Sequence, residues 1–448
     1  MRHYTKGLIL ALLLGCASIS IAWKARGTRV LVRTPAELKA AISKAQPGDT
    51  LVMANGKWEN AAILFQGHGQ ANAPIVLTAE EKGKVVLSGQ SELSIAGEYL
   101  EVHGLHFKNG IAPSKSIVSF RKDAKSVANN CRVTDCVIQD YSNVGEDEKW
   151  VNLYGKNNRF DHNLLEGKKS EGTTLVVWLS DTASRENRHR IDHNYFGHRP
   201  RLGQNGGETI RIGTSEHSMH TSQTVVEQNY FFRCDGEAEI ISIKSAENVI
   251  QDNVFYESKG AVVLRHGNNN TIRQNYFIGN NVKETGGIRV INQGHQVYGN
   301  HLQELNGSEN KSSLVVMNGV VNSPLNGYHQ VRDVTVRDNV FLFCSSWQLG
   351  VGSRAQQILQ PERTLISGNT FYNPRVKAVY EMAHPLPGIT FRENRYNIGA
   401  TTSLEGFKRS SQAYVKGKNG IWKEKGAPDI ELPVTPASAG PTWYKQAI

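Results

Sequence analysis

Short apolar runs alternate with polar residues along most of the chain, and Gly, Asn and Asp bound these runs. Examples are Val225-Val226, Ala261-Val262-Val263-Leu264 and Ile288-Arg289-Val290. Such runs are too short for helices and have the length and boundaries of β-strands. The pattern therefore predicts an all-β protein built from many short strands.

An asparagine followed by aromatic or aliphatic residues recurs along the chain. The shortest intervals are 22, 24 and 25 residues, and intervals of 31, 35 and 39 residues suggest the same unit with loop insertions. The repeated residues are Asn163, Asn194, Asn229, Asn253, Asn275, Asn300, Asn339, Asn369 and, more weakly, Asn394. Such a period is typical of a solenoid. It predicts a parallel β-helix with the asparagine at a corner, where it tolerates left-handed backbone angles and can bond neighbouring backbone. The alternative is a β-sandwich or propeller in which the asparagine spacing recurs by chance.

One helix is predicted ahead of the coils. Thr34 can cap it, Pro35 suits its first turn, and Glu37 completes a capping box. Pro47-Gly48 would end it. Its apolar stripe is Leu38, Ala41, Ile42 and Ala45. We expect this helix to plug the open end of the solenoid.

The strand pattern continues from Thr50 to about residue 398, which predicts one solenoid domain over residues 23–398. Residues 399–448 are rich in Gly, Pro, Lys and Ser, and we expect a tail that packs on the last coils. Cys131 and Cys136 could pair, whereas Cys234 and Cys344 are expected to be buried.

Residues 1–22 have the features of a targeting segment, with a basic start and an apolar run too short to span a membrane. Ser20-Ile21-Ala22 suits signal peptidase, whereas Leu13-Leu14-Gly15-Cys16 resembles a lipobox that would leave Cys16 lipidated. Both alternatives predict export, to the periplasm, the medium or the outer membrane. The net charge of +10 then favours an acidic polysaccharide over nucleic acid as partner. We expect a monomer without a membrane span.

Polar residues that could carry chemistry are concentrated in four successive repeats. Counted from the corner asparagines, they fall in one band, and neighbouring coils of a β-helix stack about 4.8 Å apart. The set is Asn205, Glu208, Arg211, Glu237, Glu239, Lys244, Arg265, His266 and Arg289. The repeats therefore predict that these side chains converge on one face.

Glu237 and Glu239 point to the same side of a strand and would repel each other without a cation. With Asn205 and Glu208 they offer the oxygen ligands that Ca²⁺ prefers. A solvated acidic face is the alternative.

The orientation of Lys244 is ambiguous. Strict alternation from Glu239 would send Lys244 into the core, and a bulge near Ile241-Ser242 would turn it outward. Arg265 and Arg289 face outward by simple alternation.

A cation, a lysine and an arginine on one face suit β-elimination of a polyuronate. Neutralising the sugar carboxylate makes the neighbouring C5 proton more acidic. Lys244 could remove that proton, and Arg265 could stabilise or protonate the leaving O4, directly or through water.

At these residues the chain resembles polysaccharide lyase family six, the alginate lyases and chondroitinase B. The resemblance covers nearly the whole mature chain, and its motifs include Asn205-Gly206-Gly207-Glu208 and Leu264-Arg265-His266-Gly267. It implies a right-handed parallel β-helix, with Lys244 as Brønsted base and Arg265 as acid. Asn205, Glu237 and Glu239 match Ca²⁺ ligands, and Glu208 matches a further ligand of alginate-specific members. Arg211, His266 and Arg289 match substrate-contacting positions.

Alginate is the expected substrate because the 205–208 stretch suits the alginate enzymes, with dermatan sulfate as the alternative within the family. A glycoside hydrolase would use paired acids and water instead. A non-catalytic glycan-binding β-helix is a further alternative. The Lys244 and Arg265 pair argues against both.

Overall fold

The chain winds into a parallel β-helix, as the repeat predicts. The computed structural model describes residues 27–203, 205–352, 355–400 and 403–444, so the predicted targeting segment and Cys16 lie outside the described residues. Most coils contribute one short strand to each of three parallel sheets. Within the described ranges, no helix is long and apolar enough to cross a bilayer.

The strands fall into three long sheets and one hairpin. Sheet 1 contains Arg29–Val32, Thr50–Met53, Ile75–Ala79, Leu100–His103, Arg132–Thr134, Arg159–Asp161, Arg190–Asp192, Val225–Glu227, Val249–Gln251, Thr271–Arg273, Gln296–Tyr298, Thr335–Arg337, Thr364–Ser367 and Ile389–Arg392. Sheet 2 contains Ala62–His68, Glu92–Glu98, Ser116–Ser119, Ala128–Asn129, Lys149–Leu153, Leu175–Val177, Ile210–Ile212, Glu239–Lys244, Gly260–His266, Thr285–Val290, Leu314–Met317, Trp347–Val351 and Tyr380–Met382. Sheet 3 contains Gly56–Glu59, Val85–Gly89, Leu105–Gly110, Val137–Gln139, Leu164–Glu166, Tyr195–Phe196, Tyr230–Phe232, Val254–Tyr256, Tyr276–Ile278, His301–Gln303, Val340–Leu342, Thr370–Asn373, Asn394–Ile398 and Phe407–Arg409. Tyr414–Lys416 and Trp422–Glu424 form an antiparallel hairpin.

The core lies inside the three sheets, where equivalent residues of successive coils stack on one another. The rings of Phe231 and Phe255, and those of Phe255 and Phe277, stack with centroids 4.6 Å apart. These side chains are at most 2% exposed. Burial of such aligned apolar side chains is the main stabilising contribution to the fold.

The repeated asparagines form a continuous ladder at one corner. The Asn253 Oδ1 atom accepts hydrogen bonds from the backbone N–H and the amide of Asn229, each at 3.0 Å. The Asn253 amide in turn donates to Val226 O at 2.9 Å and to Asn275 Oδ1 at 3.0 Å. The same links run from Asn163 through Asn194, Asn229, Asn253, Asn275, Asn300, Asn339 and Asn369 to Asn394. The predicted bonding to neighbouring backbone is confirmed.

The predicted left-handed conformation of these asparagines is wrong. Positive φ angles belong to the residue that precedes each one, for example His193, Asp252 and Gln274, with φ between 54° and 55°. The preceding residue makes the corner, which leaves the asparagine side chain free to point inward along the ladder.

Removal of one ladder amide is expected to destabilise the solenoid. Asn253→Ala leaves the buried N–H of Asn229 and the carbonyl of Val226 without these partners, and each such group costs about 1–3 kcal/mol. We expect a loss of about 2–5 kcal/mol in the free energy of unfolding by denaturant titration. Asn306→Ala is the matched control, because Asn306 is exposed and its amide makes one bond to Asn281 O at 3.2 Å. Equal losses in the two variants would contradict a stabilising ladder.

The predicted N-terminal helix spans Pro35–Ile42. The Thr34 hydroxyl accepts from the Glu37 N–H at 3.1 Å, and the Glu37 carboxylate accepts from the Arg33 N–H at 2.8 Å. Leu38 and Ile42 are buried in the core cluster, so the helix closes that end of the solenoid. It ends earlier than predicted, because the chain leaves helical geometry after Ser43 rather than at Pro47.

The C-terminal tail reaches much further than the last coils on which it was predicted to pack. It runs back along the outer face of sheet 3, where Ile421, Val434 and Ala439 join an apolar cluster with strand residues. Those strand residues are Val137, Leu164, Tyr195, Tyr230, Val254 and Ile278. At its far end Trp443 Nε1 donates to Asp135 O at 2.8 Å. The tail thus covers apolar surface over many coils.

Cysteine pairing does not contribute to the fold within the described residues. The four cysteines of the described chain, including Cys131 and Cys136, are buried and free. The possible pairing of Cys131 with Cys136 is therefore not formed.

Candidate active site

A β-bulge turns Lys244 to the outside of sheet 2. Glu239 pairs with Ala261 and Ile241 pairs with Val262, so Ile240 is an extra residue in its strand. Ile240, Ile241 and Ile243 are in the core, and Ser242 and Lys244 face outward. The predicted bulge exists, slightly earlier than expected, and it resolves the orientation of Lys244.

Lys244 lies against the carboxylate of Glu208, which comes from the preceding coil. The Lys244 Nζ atom is 3.5 Å from Glu208 Oε1, and Glu208 Oε2 accepts from the Thr173 hydroxyl at 2.8 Å. Burial alone would raise the pKa of Glu208, but the charges of Lys244 and Arg211 hold it below its usual value. Glu208 is therefore an anion beside the amino group of Lys244.

The carboxylate of Glu237 is buried beside those of Glu208 and Glu239. Its Oε1 atom makes no hydrogen bond among the described residues, and the residue is 6% exposed. Burial, together with the negative charges of Glu208 and Glu239, raises the pKa of Glu237 to about 8. An uncompensated oxygen amid three carboxylates is the chemistry of a cation site.

Two glycines let the carboxylate-bearing segments approach each other. A Cβ atom on Gly207 would lie 2.7 Å from Gly236 O, and one on Gly236 would lie 2.2 Å from Gly207 O. Because Gly207 precedes Glu208 and Gly236 precedes Glu237, this contact places the two glutamates on adjacent coils.

Glu239 is held by two donors. Its Oε1 atom accepts from Arg289 Nη2 at 2.8 Å, and its Oε2 atom accepts from the Ser242 hydroxyl at 2.5 Å. Arg289 faces outward as predicted, yet it is only 5% exposed because it pairs with Glu239. The structure thus places Arg289 against a predicted metal ligand rather than on open surface.

Asn205 lies in an exposed stretch of chain, two residues before Gly207. Its side chain makes no hydrogen bond with the described residues. In the part of the chain that the structure describes, no group of three or more His, Cys, Asp or Glu side chains is placed to hold a metal ion by itself. A cation here would need the loop amide to complete its shell.

Arg265 and His266 sit on the strand next to Lys244. Ile243 pairs with Leu264 and Lys244 pairs with His266, so Arg265 is an extra residue opposite Lys244. Burial and the charges of Arg265 and Lys244 lower the pKa of His266 to about 2, so its ring stays neutral. Arg265 Nη1 lies 3.4 Å from His266 Nδ1, which accepts from it when the neutral ring carries its proton on Nε2.

A loop from a distant coil also holds Arg265. Its Nη1 atom donates to Gly327 O at 2.9 Å, and its guanidinium lies 4.3 Å from the ring centroid of Tyr328. These contacts span more than 60 residues and were missed from the sequence. The 39-residue interval between Asn300 and Asn339 signals an insertion there but not what it touches.

Arg211 lies on the strand before Lys244, where its Cα atom pairs with that of Ser242. Its guanidinium lies 5.5 Å from the Trp178 ring. Lys244, Arg265, Arg211 and His266 therefore surround one patch of sheet 2, next to the three carboxylates. Such a patch can bind a carboxylated sugar, remove a proton and stabilise a leaving oxygen.

Known proteins resemble this chain over most of its length. The sequence model of the family Chondroitinase B matches residues 32–426. The PL6 family alginate lyase AlyGC is 42% identical with a TM-score of 0.91, and the match covers 94% of this chain. The chain spans 59% of the length of AlyGC.

Two further solved structures match over most of both chains. A mannuronic acid specific polysaccharide family 6 lyase from human gut microbiota is 34% identical, with a TM-score of 0.81, over 93% of this chain and 97% of that one. The PL6 family polysaccharide lyase Pedsa3628 from Pseudopedobacter saltans is 27% identical, with a TM-score of 0.75, over 93% and 100%. No curated protein gives a significant match.

Proposed function

Because the chain belongs to polysaccharide lyase family six, we propose that it cleaves alginate by calcium-dependent β-elimination. The observation that carries the proposal is the bulge that brings Lys244 to the outer face, beside Arg265 and the carboxylate cluster. We also propose, from the sequence of residues 1–22, that the protein works after export.

The carboxylates suit a calcium ion. Glu237 has an oxygen without a partner among the described residues, and Glu208 and Glu239 add negative charge beside it. With the amide of Asn205 these groups form a set of hard oxygen donors. A bound calcium ion would neutralise the substrate carboxylate and so favour loss of the adjacent proton.

The side chains of this patch would share the remaining chemistry. Lys244, in its amine form, takes the proton from C5 of the uronate, and the C5–H electrons form the C4=C5 double bond. The C4–O4 bond breaks, and O4 takes a proton from Arg265 or from a water molecule that Arg265 holds. His266 stays neutral and orients the Arg265 guanidinium without repelling it. Arg211 lies where it can pair with a further sugar carboxylate.

Dermatan sulfate is the second candidate substrate, because the matching family model is that of chondroitinase B. Alginate is preferred because AlyGC and the gut lyase are described as alginate lyase and mannuronic acid specific, respectively. One assay distinguishes the two candidate substrates. Purified protein is incubated with each polymer, and the ultraviolet absorbance of unsaturated uronate is followed.

We expect rising absorbance with alginate and at most a weak signal with dermatan sulfate. Activity on dermatan sulfate alone would replace the substrate. Shortening of either polymer without a rise in absorbance would indicate hydrolysis and overturn the lyase proposal.

Calcium removal is expected to abolish turnover reversibly. A chelator should reduce the rate to near background, and added calcium should restore it. Glu237→Gln is expected to raise the calcium concentration needed for half-maximal rate by at least about 10–100-fold, because the loss of even an outer-shell partner of a metal ligand has an effect of that size. Glu257→Gln is the control, because Glu257 pairs with Arg233 outside the cluster. Full activity after exhaustive chelation, with no metal retained by elemental analysis, would refute the calcium role.

A further inference from the structure

The guanidinium of Arg199 is buried directly behind the carboxylate cluster. Arg199 is 2% exposed, although it carries a charge. Burial lowers the pKa of Arg199 to about 10, which still leaves it charged at neutral pH. A buried cation of this kind is kept only where hydrogen bonds compensate its desolvation.

Five protein oxygens receive hydrogen bonds from Arg199, and they belong to two neighbouring coils. Nη1 donates to Thr174 Oγ1 at 3.2 Å, Gly207 O at 2.8 Å and Glu208 O at 2.9 Å, and Nη2 donates to Ser170 O at 3.2 Å and Gly172 O at 2.6 Å. One group of acceptors is the turn at residues 170–174, and the other is the start of the Glu208 segment. The planar guanidinium therefore ties these two segments together.

Both segments determine where the Glu208 carboxylate lies. The backbone of Glu208 is fixed by the bond from Arg199 to its carbonyl oxygen. The side chain of Glu208 is fixed by Thr173, which lies within the turn that Arg199 also holds. Arg199 thus restrains Glu208 in two ways, by a direct bond to the backbone of Glu208 and by holding the turn that contains Thr173.

A second buried basic side chain supports the same turn, although burial and the charge of Arg199 lower the pKa of Lys168 to about 6. Lys168 is 2% exposed and donates to Ser170 O at 3.0 Å and Glu171 O at 2.7 Å. The Ser170 hydroxyl donates to the Glu148 carboxylate at 2.6 Å. The turn is therefore held rigidly on both sides, which is what a scaffold for a site carboxylate requires.

From these contacts we propose that Arg199 is a positioning residue, which sets the Glu208 carboxylate beside Lys244 without touching the substrate. Its effect on kcat/KM rests on the proposed function, whereas its effect on the position of Glu208 does not. A lysine at position 199 would keep the charge but could not reach acceptors on both coils, because a single ammonium replaces the planar fork.

A double-mutant cycle tests the proposal. Arg199→Lys and Glu208→Gln are made singly and together, and kcat/KM on alginate is measured for each. Arg199→Lys alone is expected to lower kcat/KM by about 10–100-fold, as loss of an outer-shell partner does. In the Glu208→Gln background the same change is expected to cost less than about twofold, because Arg199 acts through Glu208. Independent, multiplying losses would overturn the proposal.

A readout without substrate separates this inference from the proposed function. Amide hydrogen exchange in residues 205–210 should speed up in Arg199→Lys, while the Asn253–Asn275 ladder segment keeps its protection. Arg159→Lys is the matched control, since Arg159 pairs with Asp192 on sheet 1, and it should change neither quantity at the site. Faster exchange in a protein that shows no lyase activity would retain the positioning role and reject the function. Unchanged exchange at 205–210 would reject the positioning role whatever the activity.

Discussion

Lys244→Ala is expected to lower kcat on alginate by about 10²–10⁴-fold, the usual contribution of a general base. The variant loses the group that takes the C5 proton, but it keeps the carboxylates and Arg265. The fold should survive, because the Lys244 side chain faces outward and its contact with Glu208 is long, at 3.5 Å. Glu208 keeps its hydrogen bond from Thr173. Initial rates, with circular dichroism and a thermal melt, would check both statements.

Lys57→Ala is the matched control for Lys244. Lys57 also lies next to a glutamate, 2.9 Å from Glu59, but on an exposed strand of sheet 3. It should retain full activity. An active, folded Lys244→Ala protein would remove Lys244 as the base, and the elimination mechanism would need another proton acceptor.

Arg265→Ala is expected to reduce kcat by about 10²–10³-fold, as does the loss of one preorganised donor to a developing oxyanion. Arg265→Lys should recover only part of this loss, because the ammonium cannot bond both the loop carbonyls and the leaving oxygen. Separate measurement of kcat and KM distinguishes the two roles that Arg265 could have. A pure rise in KM would assign Arg265 to substrate binding rather than to the leaving group.

Arg337→Ala provides the control for Arg265. The Arg337 guanidinium lies 4.2 Å from the Tyr298 ring centroid, close to the 4.3 Å of Arg265 over Tyr328. Its removal costs a comparable cation–π contact far from the patch. Similar rate losses in the two variants would mean that Arg265 acts through stability alone.

The solenoid could be predicted from the sequence because successive coils place an asparagine at the same corner. Each corner asparagine bonds the backbone of the preceding coil, so the same residue must recur wherever a coil turns. The side of sheet 2 on which Lys244 lies could not be read from alternation alone, because one extra residue, Ile240, inverts the parity. Register of this kind depends on the neighbouring strand, which the local sequence does not contain.

The supports of the site were less predictable than its charged groups. Arg199 meets Gly207 and Thr174 only after the coils stack, and Arg265 meets Gly327 only because a long insertion folds back over sheet 2. Alternation placed Arg289 on the outside, correctly, but could not reveal that Glu239 would bury it. Such contacts have no period, so the repeat analysis carries no information about them.

The returning C-terminal segment changes how this solenoid should come apart. Coils of a repeat protein touch only their neighbours, so in principle they can peel off one after another from either end. Here Trp422 is bonded to Gln303, while Trp443 is bonded to Asp135. Opening any coil in between must also detach the C-terminal segment from sheet 3. This segment therefore links distant coils into one cooperative unit. The proposed polymer-binding face on sheet 2 is built from the coils in between, so it is also guarded against local fraying.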